Sequence, residues 1–118
     1  MTKLAFVFPG QGSQAVGMLE DAREASADLF AEASSVLGYD LWNLVENGPE
    51  DQLNQTEYTQ PALLTASIAL FRLAQDRGLP SPDVVAGHSL GEYSALVAAN
   101  VLQFSDAVML VQKRGQFM

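Results

Sequence analysis

A serine stands between two glycines in Gly87-His88-Ser89-Leu90-Gly91-Glu92, directly after the apolar run Val84-Val85-Ala86. The spacing Gly-x-Ser-x-Gly suits a nucleophile held at the apex of a sharp strand-to-helix turn, where neighbouring side chains must be absent. The chemistry of such a serine is acyl transfer. At a helix N-terminus, backbone amides and the helix dipole favour a developing oxyanion. The amide of Leu90, next after the nucleophile, is the expected donor. The bland alternative is a turn in which Ser89 only caps the helix. A serine hydroxyl also needs a base, and His88 is the one histidine in the chain. Its side chain leaves the backbone one residue before Ser89 and is expected to pack under the turn. The catalytic histidine is therefore expected to be missing from these residues.

A second glycine-rich stretch, Gly10-Gln11-Gly12-Ser13-Gln14-Ala15, follows Leu4-Ala5-Phe6-Val7-Phe8. Its spacing matches the dinucleotide fingerprint, which also requires a second strand and an acidic residue about 20 positions on. The stretch in question, Phe30 to Leu37, has a helical period instead. The loop is better read as lying at the carboxyl end of the first strand, beside the serine turn. There its amides could supply the other oxyanion donor.

These loops need strands and helices to hold them. Leu4 to Phe8 and Asp83 to Ala86 read as buried parallel-type strands, continuous in apolar residues. Leu29, Phe30, Ala33, Val36 and Leu37 share one helical face, and Gly38 suits its end. Short helical turns are predicted over Tyr39 to Val45 and Pro49 to Leu53. A longer helix is predicted from Thr59-Gln60-Pro61 to about Arg77, with the proline in the first turn. It is apolar on nearly every side and should be buried centrally. Leu90 to Ala99 predicts another helix. A last one starts at Ser105-Asp106, with Val108, Leu110, Val111 and Phe117 as its apolar set.

Composition narrows the function classes. The 118 residues carry a net charge of -8, 48% hydrophobic residues and no cysteine. The acidic balance argues against nucleic acid and anionic membrane as partners. Absent cysteines exclude disulfides and thiolate chemistry, and a single histidine makes a histidine metal site improbable. The apolar run Ala62 to Phe71 is roughly half of the ~20 residues that a membrane span needs. No secretory signal is apparent, so a cytoplasmic protein is expected. The order strand, helices, strand, serine turn, helix implies an α/β fold, a parallel sheet with covering helices. Two strands are few for such a sheet, so the 118 residues are expected to form the N-terminal part of a single larger domain.

Together the motifs resemble the malonyl-CoA:acyl-carrier-protein transacylase family. They are Phe8-Pro9-Gly10-Gln11-Gly12-Ser13-Gln14, Leu37-Gly38-Tyr39-Asp40-Leu41-Trp42, Asn54-Gln55-Thr56, Thr59-Gln60-Pro61-Ala62, Gly87 to Ala95 and Lys113-Arg114-Gly115. The resemblance spans the chain, and its specificity lies in their order and spacing. It implies an α/β-hydrolase-like core with Ser89 as nucleophile and the amides of Gln11 and Leu90 as oxyanion donors. It implies that Arg114 binds the free carboxylate of malonate and that Gln60 lines the same pocket. It implies malonyl-CoA and acyl carrier protein as partners, and no resident cofactor. Coenzyme A enters as a thioester, and phosphopantetheine belongs to the acceptor. The family's general-base histidine, an orienting glutamine and a ferredoxin-like subdomain are expected outside these residues. A monomer is expected at full length, and the 118 residues alone are expected to be inactive and poorly folded. Two other classes fit the serine turn: an esterase- or lipase-like hydrolase, and a non-catalytic fragment that binds carrier protein.

Overall fold

A computed structural model describes residues 5–8, 10, 23–78, 84–87 and 90–117. Among them the elements run β1 (Ala5–Phe8), α1 (Arg23–Leu37), α2 (Leu41–Asn47), α3 (Glu50–Leu53), α4 (Thr56–Asp76), β2 (Val84–Gly87), α5 (Gly91–Ala98) and α6 (Phe104–Gln116). The two strands pair in parallel, with Ala5 opposite Val84 and Phe8 opposite Gly87. Their carboxyl ends therefore lie side by side, which brings Gly10 and the turn after Gly87 to one edge. Gln11, His88 and Ser89 lie outside the described residues.

The centre of the molecule is α4. It is buried without a break from Thr59 to Ala69, as expected for a helix apolar on all sides. Leu64 and Ile68 have no exposed surface, and burial of each such side chain is worth about 1.5–3 kcal/mol. The helices α1, α3, α5 and α6 all pack on it. The strands are tied to the same helix through Phe8, whose ring meets Phe71 edge-on at 5.8 Å.

Local signals set most of the boundaries. Gly38 closes α1 with φ of 85°, and its amide donates to the Ser34 carbonyl at 2.9 Å. Asp40 caps α2 by accepting from the Asn43 amide at 3.0 Å, a bond that satisfies one of the orphan amides of the first turn. The Phe30 ring meets Trp42 edge-on at 5.1 Å and holds α2 against α1. Because α1 occupies the chain to Leu37 and α2 follows, no strand stands where the dinucleotide reading needs one.

Two expectations are corrected. The helix α4 starts at Thr56, not Thr59, so Pro61 lies in its second turn. The earlier start is fixed from α3. The Tyr58 and Thr59 amides donate to the Gln55 carbonyl at 2.9 and 2.8 Å, and the Thr59 hydroxyl donates to the carbonyls of Leu53 and Gln55. In α6, Leu110 and Phe117 are 47% and 88% exposed. Its inward stripe is Phe104, Ala107, Val108, Val111 and Gly115, the spacing of one helical face. Phase, and not hydrophobicity alone, selects the buried set.

Candidate active site

The end of β2 and the start of α5 approach each other closely. A Cβ built on Gly87 would overlap the carbonyl of Gly91 and crowd the amide of Glu92. The end of the strand and the first turn of the helix are thus in backbone contact, with three residues between them. Any side chain at position 87 would force them apart. Leu90 is fully buried and already helical, with φ of -54° and ψ of -36°. Its amide belongs to the group at a helix start that has no intrahelical acceptor. The nucleophile candidate Ser89 and the second oxyanion candidate Gln11 lie outside the described residues. Glu92 is exposed in the first turn of α5, where an acid complements the helix dipole.

Arg114 and Gln60, far apart in sequence, meet. The Nη1 of Arg114 donates to the Oε1 of Gln60 at 2.6 Å. Gln60 is completely buried and Arg114 only partly exposed. A charge-assisted bond in such surroundings is about twice as strong as a neutral one. Its position in the last turn of α6 also suits a cation, because carbonyl dipoles converge there.

The contact depends on how closely α6 crosses the start of α4. A Cβ on Gly115 would stand 2.7 Å from the Glu57 Cα and 2.8 Å from the Thr56 carbonyl oxygen. Only glycine permits that approach, and the approach places residue 114 beside residue 60. Gly115 thereby gains a role that the sequence reading had not assigned.

A third group was also missed. The guanidinium carbon of Arg114 lies over the ring of Tyr93, 5.8 Å from its centroid. Tyr93 is the third residue of α5, and its amide donates to the Leu90 carbonyl at 3.0 Å. Its spacing from Ser89 was the available signal. A cavity of about 710 Å³ opens elsewhere, between α1 and α2, beside Phe30, Ser34, Tyr39 and Trp42. Gln60, Leu90 and Arg114, the candidate site residues that are described, do not line it. Among the described residues no acidic or histidine cluster could hold a metal ion, and no helix is long and apolar enough to cross a membrane.

The described residues thus bring together a parallel strand pair, a close approach of β2 to α5 and a guanidinium bonded to a buried glutamine. The chain belongs to the acyl transferase domain family, which it matches over residues 5–118. Within that family it is similar to malonyl CoA-acyl carrier protein transacylases. It is 60% identical to that of Escherichia coli strain K12 over 121 residues, 100% of this chain and 39% of that protein. It is 51% identical to that of Bacillus subtilis strain 168, again over its whole length and 38% of the relative. An acyl carrier protein S-malonyltransferase from Vibrio cholerae superposes with a TM-score of 0.95 at 62% identity, over 99% of this chain and 39% of the other. A malonyl-transacylase in complex with its type II PKS acyl-carrier protein gives 0.93 at 56% identity, over 98% and 38%. The chain therefore spans about two fifths of the length of these relatives.

Proposed function

We propose that this chain carries the nucleophile, the oxyanion donors and the carboxylate clamp of an enzyme that moves malonyl groups from coenzyme A to acyl carrier protein in fatty acid synthesis. The observation that carries the proposal is the part-buried Arg114–Gln60 pair, at 2.6 Å, beside the helix that follows Ser89. A planar guanidinium matches a carboxylate in two parallel hydrogen bonds. An acetyl group offers no such partner, so the clamp both binds and selects.

The reaction runs in two halves. The Ser89 oxygen attacks the thioester carbonyl of malonyl-CoA while a histidine outside these residues accepts its proton. The carbonyl oxygen becomes negative, and the amides of Leu90 and Gln11 stabilise it. The C–S bond breaks, coenzyme A leaves as the protonated thiol, and malonyl-Ser89 remains. The phosphopantetheine thiol of the carrier protein then attacks the ester, and Ser89 recovers its proton. No resident cofactor takes part. The nucleophile elbow of an α/β-hydrolase-like core is the geometry that this mechanism calls for. The Gly87–Gly91 backbone contact supports it.

The 118 residues lack the base and are inactive alone in this reading. The complete enzyme works as a cytoplasmic monomer, and no membrane or nucleic acid is involved. The test is the intact mass of the complete enzyme after malonyl-CoA is added. A malonyl adduct is expected, and Ser89→Ala should abolish it. Absence of a Ser89-dependent adduct overturns the reading, and rapid hydrolysis without transfer to a carrier thiol points to the esterase class instead.

A further inference from the structure

We propose that Tyr93 is a positioning residue for acyl selection: its ring carries the Arg114 guanidinium and sets where the carboxylate is held. The proposal rests on the reading of Arg114 as a carboxylate clamp, and it adds a residue that fixes the clamp in space.

Among the described residues, two contacts bear on the guanidinium. Gln60 accepts from its Nη1 at 2.6 Å, and its central carbon lies over the Tyr93 ring, 5.8 Å from the centroid. The two differ in kind. A hydrogen bond to Gln60 uses one of the five N–H donors, which all lie in the guanidinium plane. The contact with the ring needs no side-chain acceptor, because the attraction is between the cation and the π-face. Tyr93 therefore holds the position of the cation without offering an acceptor that would compete with a carboxylate.

The location of Tyr93 gives the restraint a function. Gln60 and Arg114 come from α4 and α6, whereas Tyr93 comes from α5, the helix that follows the serine turn. Its amide bond to the Leu90 carbonyl, at 3.0 Å, makes it part of the first helical turn. The ring thus ties the guanidinium to the backbone segment that carries the oxyanion donor candidate. In a malonyl thioester the carboxylate and the reacting carbonyl are separated by one methylene. A clamp referenced to the serine turn can measure that short span. One referenced only to α4 and α6 would shift whenever α5 moved. The ring itself is half-buried and packs on the main core, so its own position is fixed.

The test uses the complete enzyme that contains this chain, with malonyl-CoA and acetyl-CoA as alternative donors. Tyr93→Leu is expected to lower the rate of malonyl loading about tenfold, the scale of a partly desolvated cation–π contact. Acetyl loading should fall far less, so the malonyl preference narrows. Tyr93→Phe keeps the ring face and should recover most of the lost malonyl rate. If the Leu variant does not fold, phenylalanines of increasing fluorination at position 93 keep the shape and weaken the π-face. Malonyl loading should then decline stepwise with fluorination. Equal losses for both donors, or a flat fluorination series, overturn the proposal. Arg114→Ala separates the two levels of the argument. If it leaves donor preference unchanged, the clamp reading itself fails. If it narrows the preference while the Tyr93 substitutions do not, only the role of Tyr93 fails.

Discussion

Arg114 donates to Gln60 across 54 residues of sequence, at 2.6 Å, with the acceptor wholly buried. Neither residue is well placed for this by composition alone. A glutamine near the start of an apolar helix and an arginine near the end of another read as ordinary polar residues. Brought together, they form a pair in which the glutamine orients the guanidinium, as the proposed carboxylate clamp requires. Preorganised donors of this kind are effective because no reorganisation is needed at the moment of binding.

Gln60→Ala should therefore impair malonyl loading even though it removes no charge. The guanidinium would lose a charge-assisted bond, a contribution of about 1.5–3 kcal/mol. Malonyl loading should drop by roughly 10- to 100-fold, the rate equivalent of that energy, with a smaller change for acetyl-CoA. Gln60→Glu should be at least as damaging, because a carboxylate there would occupy the donors by itself. Single-turnover loading of the complete enzyme with each donor measures both effects. A Gln60→Ala enzyme with unaltered donor preference would remove the orienting role.

The helix crossing makes a separate prediction. Gly115→Ala would set a methyl group 2.7 Å from the Glu57 Cα, against backbone that cannot rotate away. The two helices must separate, at a cost of about 1–3 kcal/mol. Thermal melting should register the loss. Malonyl loading should weaken as well, since Arg114 is carried on the same turn. An unchanged melting temperature would mean that the crossing is looser than this geometry.

At the serine turn, Gly87→Ala should be more severe. Its methyl group would overlap the Gly91 carbonyl, so the strand and the helix could not keep their present approach. Loss of malonyl adduct formation is expected, together with a destabilised fold, assayed by intact mass and by melting. Retention of near-normal loading would show that the turn has room that the present backbone denies.

Sequence reading reached the elements more easily than it reached the contacts between them. Val84 to Gly87 and the helix after Leu90 were legible because a β-prone run, two glycines and an apolar helix follow in order. Gly38 and Asp40 marked the end of α1 and the start of α2 through chemistry confined to a few residues. The errors came where contacts between elements decide. Pro61 suggested a helix start, but the ties from Thr59 to Leu53 and Gln55 extend the helix backwards. Leu110 and Phe117 are apolar yet exposed, since the phase of α6 is set by its packing on α4. The packing role of Gly115 and the Tyr93–Arg114 contact could not be read locally, because each depends on how the helices pack. Arg114 and Gln60 were named through family resemblance, and their direct bond is what the structure adds.

Tyr39 offers a prediction about pH. Its hydroxyl is buried and has no hydrogen-bond partner among the described residues, and its ring meets Tyr58 edge-on at 5.3 Å. Burial, then the neighbouring Tyr58 and Glu57, push its pKa well above the usual phenol range. Below about pH 10 the phenol is neutral in folded and unfolded chains alike. Above it, the unfolded chain ionises first and binds fewer protons, so stability is lost as pH rises, by at most about 1.4 kcal/mol per pH unit from this group. Tyr39→Phe should flatten that alkaline fall without a penalty at neutral pH, since no bond is lost. Denaturant melts of the complete enzyme from pH 7 to 11 make the comparison. An equally steep fall in the variant would assign the effect to another group.

The last prediction concerns a polypeptide of these 118 residues by themselves. Parallel sheets are normally covered on both faces, yet Val7 in β1 is 75% exposed. Leu70, Val101, Met109, Leu110 and Phe117 add further apolar surface, each at least 47% exposed. Such surface is ordinarily found buried against another part of a protein or a partner. The isolated polypeptide should bind a hydrophobic dye such as ANS and melt over a broad range. Adding carboxylated acyl-CoA should not sharpen the transition, because a clamp lacking its surroundings binds weakly. A sharp, cooperative transition with no dye binding would mean that α4 and its covering helices form a sufficient core. In that case the exposed Val7 face would need no further cover for folding.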